Sequence, residues 1–185
     1  MTSAYRPEFE AALRLFARVS EAMKARGFQR PILVGGAAAE FYSSSAINTG
    51  DFDLCTPRQE VLEEEMLKLG FVRPSGVGQM LKGMIHPELK LGFEVVANIP
   101  LDGAFDKDTL TLVENLEEGA FIVVSVEDLI ADRMGQYASG TAPDRLQQAQ
   151  KLFKLHPSID RVYLTRRIQE ETAGEYGIET LEGKR

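Results

Sequence analysis

Apolar residues recur at helical spacing over residues 7–26, where Phe9, Leu13, Phe16, Val19 or Ser20, and Met23 fall on one stripe and Gly27 follows as a stop. The spacing predicts an amphipathic first helix. The apolar run 31–34 ends at Gly35-Gly36, and residues 37–42 behind it are mostly good helix formers, so the reading is strand, tight turn, helix. Residues 43–50 are polar and end in glycine. Asp51-Phe52-Asp53-Leu54-Cys55 then alternates polar with apolar, as a half-buried strand does.

Pro57 suits the first turn of a helix running to about Leu69, with Val61, Leu62, Met66 and Leu69 as its buried stripe and Gly70 as its end. Strand-like pieces over 79–86 and 90–99, separated by His86-Pro87-Glu88, suggest a hairpin. In the second piece Phe93, Val95, Ala97 and Ile99 share one face, and Glu94 and Asn98 the other. A last strand, 121–124, leads into Ser125, which forms a capping box with Asp128. Beyond it the pattern is helical through Arg133, Tyr137, Gln147 and Phe153 and on past Leu164. The expected fold is α/β (α+β): a small mixed sheet flanked by helices. Residues 1–125 are expected to form the core and 126–185 a helical part packed on it, giving one globular unit.

Composition agrees with a folded chain. Among 185 residues, 44% are apolar and 26% charged, close to the globular average. No run reaches the roughly 18 apolar residues of a membrane span, and the first residues lack the apolar stretch of a signal peptide. A cytoplasmic location without membrane attachment is expected. Cys55 is the sole cysteine and reads as a small buried hydrophobe. His86 and His156 have no cysteine partners, which disfavours zinc. A net charge of −7 argues against general nucleic-acid binding, and Lys151, Lys154, Arg161, Arg166 and Arg167 read first as a solvated helix face.

The candidate chemistry lies between residues 35 and 53. Asp51 and Asp53 are two apart on a strand, so their carboxylates point to one face and can share hard cations such as Mg²⁺. Read alone, such a pair also marks the polar face of an edge strand. Gly35-Gly36, at a strand-to-helix junction, lets a phosphate approach the backbone and a helix N-terminus, although any sharp strand-to-helix turn needs glycine. The conjunction is the stronger signal, because the glycine pair closes one strand and the aspartate pair opens the next. The G-x-G-x-x-G spacing of dinucleotide enzymes and a phosphate-binding Gly-Lys-Ser/Thr loop are both absent.

The stretch ILVGGAAAEFYSSSAINTGDFDL resembles the polymerase-β-like nucleotidyltransferase superfamily, with Gly-Gly, a helix, then Asp-x-Asp. It is most similar to the bacterial minimal nucleotidyltransferases of the AbiEii type, known from toxin–antitoxin systems, through Thr49-Gly50-Asp51-Phe52-Asp53. The segment VSVEDLIADRM also resembles the opening of their C-terminal helices. The resemblance implies a nucleotidyltransferase-type sheet and transfer of a nucleoside monophosphate from an NTP to a hydroxyl acceptor on RNA, protein or a small molecule. On it, Gly35, Gly36, Thr49 and Arg133 bind the nucleotide. Asp51, Asp53 and a third acid, Glu94, bind Mg²⁺ or Mn²⁺ and act in catalysis, and an antitoxin is a possible partner. Read from the residues, Glu94 is equally an exposed strand carboxylate, and Arg133 equally a former of surface ion pairs. Ile47 stands where many relatives carry a basic residue. A catalytically silent binding or regulatory module is therefore the alternative.

Overall fold

A computed structural model describes residues 4–74 and 83–183. Among the described residues six α-helices and six strands run in the order α1 (Pro7–Ala25), β1 (Ile32–Val34), α2 (Gly35–Tyr42), β2 (Asp51–Cys55), α3 (Gln59–Lys68), β3 (Met84–His86), β4 (Leu91–Ala97), β5 (Thr111–Leu116), β6 (Gly119–Val123), α4 (Val126–Ala138), α5 (Arg145–Leu155) and α6 (Arg161–Glu171). The strands form one mixed sheet in the order β3-β4-β2-β1-β6-β5. The fold is α/β, as the pattern predicts. No helix among the described residues is long and apolar enough to cross a membrane.

The chain divides into two compact units, up to Val124 and from Ser125. In the first, one face of the sheet buries Leu33, Phe52, Leu54, Phe93, Phe121 and Val123 against α1 with its Phe9, Leu13 and Phe16, and α1 packs in turn on α3, where Val61, Leu62 and Met66 are buried. The rings form a continuous run. Phe52 lies 5.3 Å from Phe9 and stacks on Phe93 at 4.5 Å, and Phe121 lies 5.5 Å from Phe16. Because strand side chains alternate, burying Phe52 and Leu54 turns Asp51 and Asp53 to the opposite face. A one-residue slip would drive both carboxylates into this core, so the aromatic contacts fix the register of β2.

Four details differ from the sequence reading. Helix α2 begins at Gly35, so the glycine pair is its first turn rather than a turn ahead of it. Helix α3 begins at Gln59, and Glu65 is buried on its stripe while Leu69 is only half-buried. Ile99 is 50% exposed, because β4 carries an irregularity opposite Leu54 and Cys55 that ends its alternation early. Strand β5 was not expected at all. Residues 79–82 of the expected hairpin lie outside the described residues, but β3 and β4 do pair antiparallel.

In the second unit, the continuous helical pattern is broken into α4, α5 and α6 around Gly140, which takes φ +74°, and at His156-Pro157. Ser125 caps α4, accepting from the Asp128 amide at 3.0 Å and donating to the Asp128 carboxylate at 2.6 Å. Arg167 is no part of a solvated face. It is fully buried, donating to Asp128 at 2.7 Å and to Glu170 and Glu171 at 2.6 Å each. Tyr163 adds its hydroxyl to Asp128 at 3.0 Å. A buried charge survives only when paired, and this arginine has three acidic partners.

Candidate active site

Three acids stand on one face of the sheet. Strand β2 pairs parallel with β4 in the register Asp51↔Gly92, Phe52↔Phe93, Asp53↔Glu94, so Glu94 is the cross-strand neighbour of Asp53 and faces the same way. Gly92 beside Asp51 adds no side chain there. On its other side β2 pairs antiparallel with β1, setting Val34 opposite Asp53. Asp53 is thereby flanked by Glu94 and by the residue that leads into the Gly35-Gly36 turn.

The glycines hold that turn close to the acids. Gly35 takes φ +61°, and a Cβ on it would lie 2.1 Å from Asp53 Oδ2; a Cβ on Gly36 would lie 2.4 Å from Thr49 Oγ1. Both positions require glycine for close approach, and Gly35 for its backbone as well. The Gly36 amide donates to Asp53 Oδ2 at 3.4 Å, and Thr49 Oγ1 lies 3.3 Å from Asp51 Oδ1. Among the described residues no three His, Cys, Asp or Glu side chains are gathered as a metal cluster. The acids share a face, while each aspartate has a hydrogen-bond partner of its own at the turn.

The loop into β2 is fixed by residues that the sequence reading missed. Glu40 on α2 is fully buried and accepts from Arg6 Nε at 2.6 Å, from the Thr49 amide at 2.6 Å and from Ser45 Oγ at 2.9 Å. Arg6, capping α1, also donates to the Thr49 carbonyl at 2.6 Å, and Glu40 holds its guanidinium firmly protonated. Ser44 and Ser45 sit at φ +49° and +61°, a backbone strain tolerated because Ser45 Oγ is clamped between the Arg6 amide and Glu40. A signal was present: Glu40 is the one charge in the short apolar helix GGAAAEFY, and a buried carboxylate demands a cation.

No protein-family model and no curated protein matches the chain. The crystal structure of an antigenic nucleotidyltransferase-like protein from Paracoccidioides brasiliensis matches with a TM-score of 0.56 and 17% sequence identity, over 93% of each chain. The fold is that of a nucleotidyltransferase-like protein. In this nucleotidyltransferase-like fold, the structure sets Gly35, Gly36, Thr49, Asp51 and Asp53 around one end of β1 and β2, with Glu94 beside Asp53 in register on β4. Arg133 belongs to the second unit. It is 3% exposed and pairs with Asp132 at 3.0 Å and Gln136 at 3.3 Å, so it is a buried member of α4 rather than a former of surface pairs. Burial pushes the Asp132 carboxyl up despite this arginine.

Proposed function

We propose that this protein is a nucleotidyltransferase, moving a nucleoside monophosphate from an NTP to a hydroxyl acceptor. The observation that carries the reading is the Asp53↔Glu94 register, which sets a third acid on the face of Asp51 and Asp53 beside a glycine turn. Hard oxygen donors of this kind suit Mg²⁺ or Mn²⁺. Mg²⁺ is commonly held by one or two carboxylates plus substrate phosphates, so acids that share one sheet face beside a helix N-terminus fit the need. Bound by Asp51, Asp53 and Glu94, the cation would neutralise charge on the triphosphate.

The chain's own groups do the rest. The first-turn amides of α2, opened by Gly35 and Gly36, meet the phosphates, and Thr49 steadies Asp51. The acceptor oxygen attacks the α-phosphorus, a new P–O bond forms, and the bond to the β-phosphate bridge breaks to release pyrophosphate. Glu94 takes the proton of the acceptor hydroxyl. Arg6, its charge paired with the buried Glu40, ties down the loop before Asp51 through the Thr49 carbonyl.

A likeness to the AbiEii type, with an antitoxin partner and a cytoplasmic, bacterial setting, rests on Thr49-Gly50-Asp51-Phe52-Asp53 and belongs to this proposal, whereas Arg133, buried and paired within α4, is left out of the nucleotide site. A silent nucleotide-binding module is the second reading, favoured by the hydrogen bonds that already occupy Asp51 and Asp53. Calorimetry with each NTP tests the site. Mg²⁺ should tighten binding in the wild type and not in Asp53→Asn; nucleotide binding indifferent to metal in both would contradict the assignment.

A further inference from the structure

The sheet face that carries Asp53 also floors a cavity. Ile32 pairs with Cys55 and with Ile122, and Ile122 with Leu112, so these four share the face of Val34 and Asp53. They line a cavity of about 550 Å³, within the range of roughly 300 to 1,000 Å³ usual for small-molecule sites. Cys55 follows Asp53 by two positions, about 7 Å along the strand, so the apolar floor begins one pleat from the acids. Burial pushes the Cys55 thiol up to about 12, so it contributes surface rather than a nucleophile.

The cavity is cationic in an acidic protein. Lys24, Arg30 and Lys107 line it with no Asp or Glu in the described lining, in a chain of net charge −7. Arg30 spends part of its charge on Glu21 at 2.8 Å, Lys24 also acts on Glu21, and the charges of Asp53 and Asp102 reach Cys55, so the cationic character belongs to the lining itself and not to its surroundings. Lys24 and Arg30 flank the segment entering β1, the end of the strand away from the Gly35-Gly36 turn. A ligand anchored there by an anion and laid along the apolar floor points its other end toward Asp53.

We propose that this cavity binds a flat apolar organic anion carrying a hydroxyl, of the hydroxyaryl carboxylate class, and that this is the acceptor; the acceptor role rests on the nucleotidyl-transfer reading, the binding does not. The site discriminates against amino sugars and other cationic acceptors. The test compares 6-hydroxy-2-naphthoate with 6-(aminomethyl)-2-naphthol, which share a ring and a hydroxyl and differ in charge. Without NTP or metal, the naphthoate should shift the methyl resonances of Ile32 and Ile122 and bind about tenfold more tightly than the amine, and Lys24→Glu with Lys107→Glu should reverse the preference. Equal binding of the two probes, or no shift at either isoleucine, would overturn the cavity assignment. With labelled NTP and Mg²⁺ added, label on the naphthoate supports the acceptor role. Label on other cell pools but not on the naphthoate overturns that role. If nothing is labelled, the transfer reading fails and the binding comparison alone decides the cavity.

Discussion

A side chain at Gly35 and the carboxylate of Asp53 exclude one another: a Cβ built on Gly35 falls 2.1 Å from Asp53 Oδ2. Gly35→Ala therefore strains the backbone at φ +61° and displaces the acid at once. The expected loss is about 1 to 3 kcal/mol of stability in urea denaturation, together with loss of Mg²⁺-dependent nucleotide binding. Gly27→Ala separates the two effects. Gly27 takes φ +85° with nothing within 4 Å of its Cβ, so that variant should lose stability alone.

Glu40 anchors the loop that delivers Asp51 and Asp53, so Glu40→Ala should act at a distance. Its removal leaves Arg6 Nε and the Thr49 amide without their acceptor, and Arg6 with only the Thr49 carbonyl. A cost of about 2 to 3 kcal/mol is expected from charged hydrogen bonds of this kind. Arg6→Ala paired with it should show strong coupling in a double-mutant cycle, and additive effects would mean that the two do not act as a unit.

How far the sequence reads toward this structure depends on where each partner lies. Alternation alone shows that Asp51 and Asp53 share a face opposite Phe52, and periodicity alone places Phe9, Phe16 and Met23 in the core. The glycine turn and the capping of α4 by Ser125 are equally local. The Arg6–Glu40 pair spans 34 residues, and no local pattern encodes which cation meets a buried acid. Glu94 was legible as a strand carboxylate, but its place beside Asp53 depends on β4 pairing with β2 rather than with another strand. Strand β5 escaped because Thr111-Leu112-Val113-Glu114-Asn115-Leu116 lacks clean alternation, as an edge strand with 50% exposed Leu112 permits. Arg167 was misread because its basic neighbours suggested a surface, whereas Asp128, which buries it, lies 39 residues away.

That buried pair should dominate the stability of the second unit. Arg167→Met leaves Asp128 with Ser125 and Tyr163 but no cation, and about 3 to 5 kcal/mol should be lost in denaturant melts. A change under about 1 kcal/mol would contradict the pairing described here.

Cys55 should resist modification. With its thiol pushed up to about 12 and only 3% exposed, it should react with iodoacetamide at pH 8 only after denaturation. The raised value also has a sign: folding favours the protonated thiol, so stability is unaffected below the unfolded thiol's range. It falls as pH rises from there toward about 12. Alkylation of the native protein as fast as of the unfolded chain would disprove the burial.

The most direct measurement is transfer itself: the protein is incubated with each α-labelled NTP, Mg²⁺ and cell extracts, and label is followed into RNA, protein and small molecules while pyrophosphate is counted. The account predicts label and stoichiometric pyrophosphate with the wild type. Asp53→Asn and Glu94→Gln should give neither, with nucleotide binding retained in Glu94→Gln. Absence of label with every NTP, or undiminished transfer by Glu94→Gln and Asp53→Asn, would contradict it.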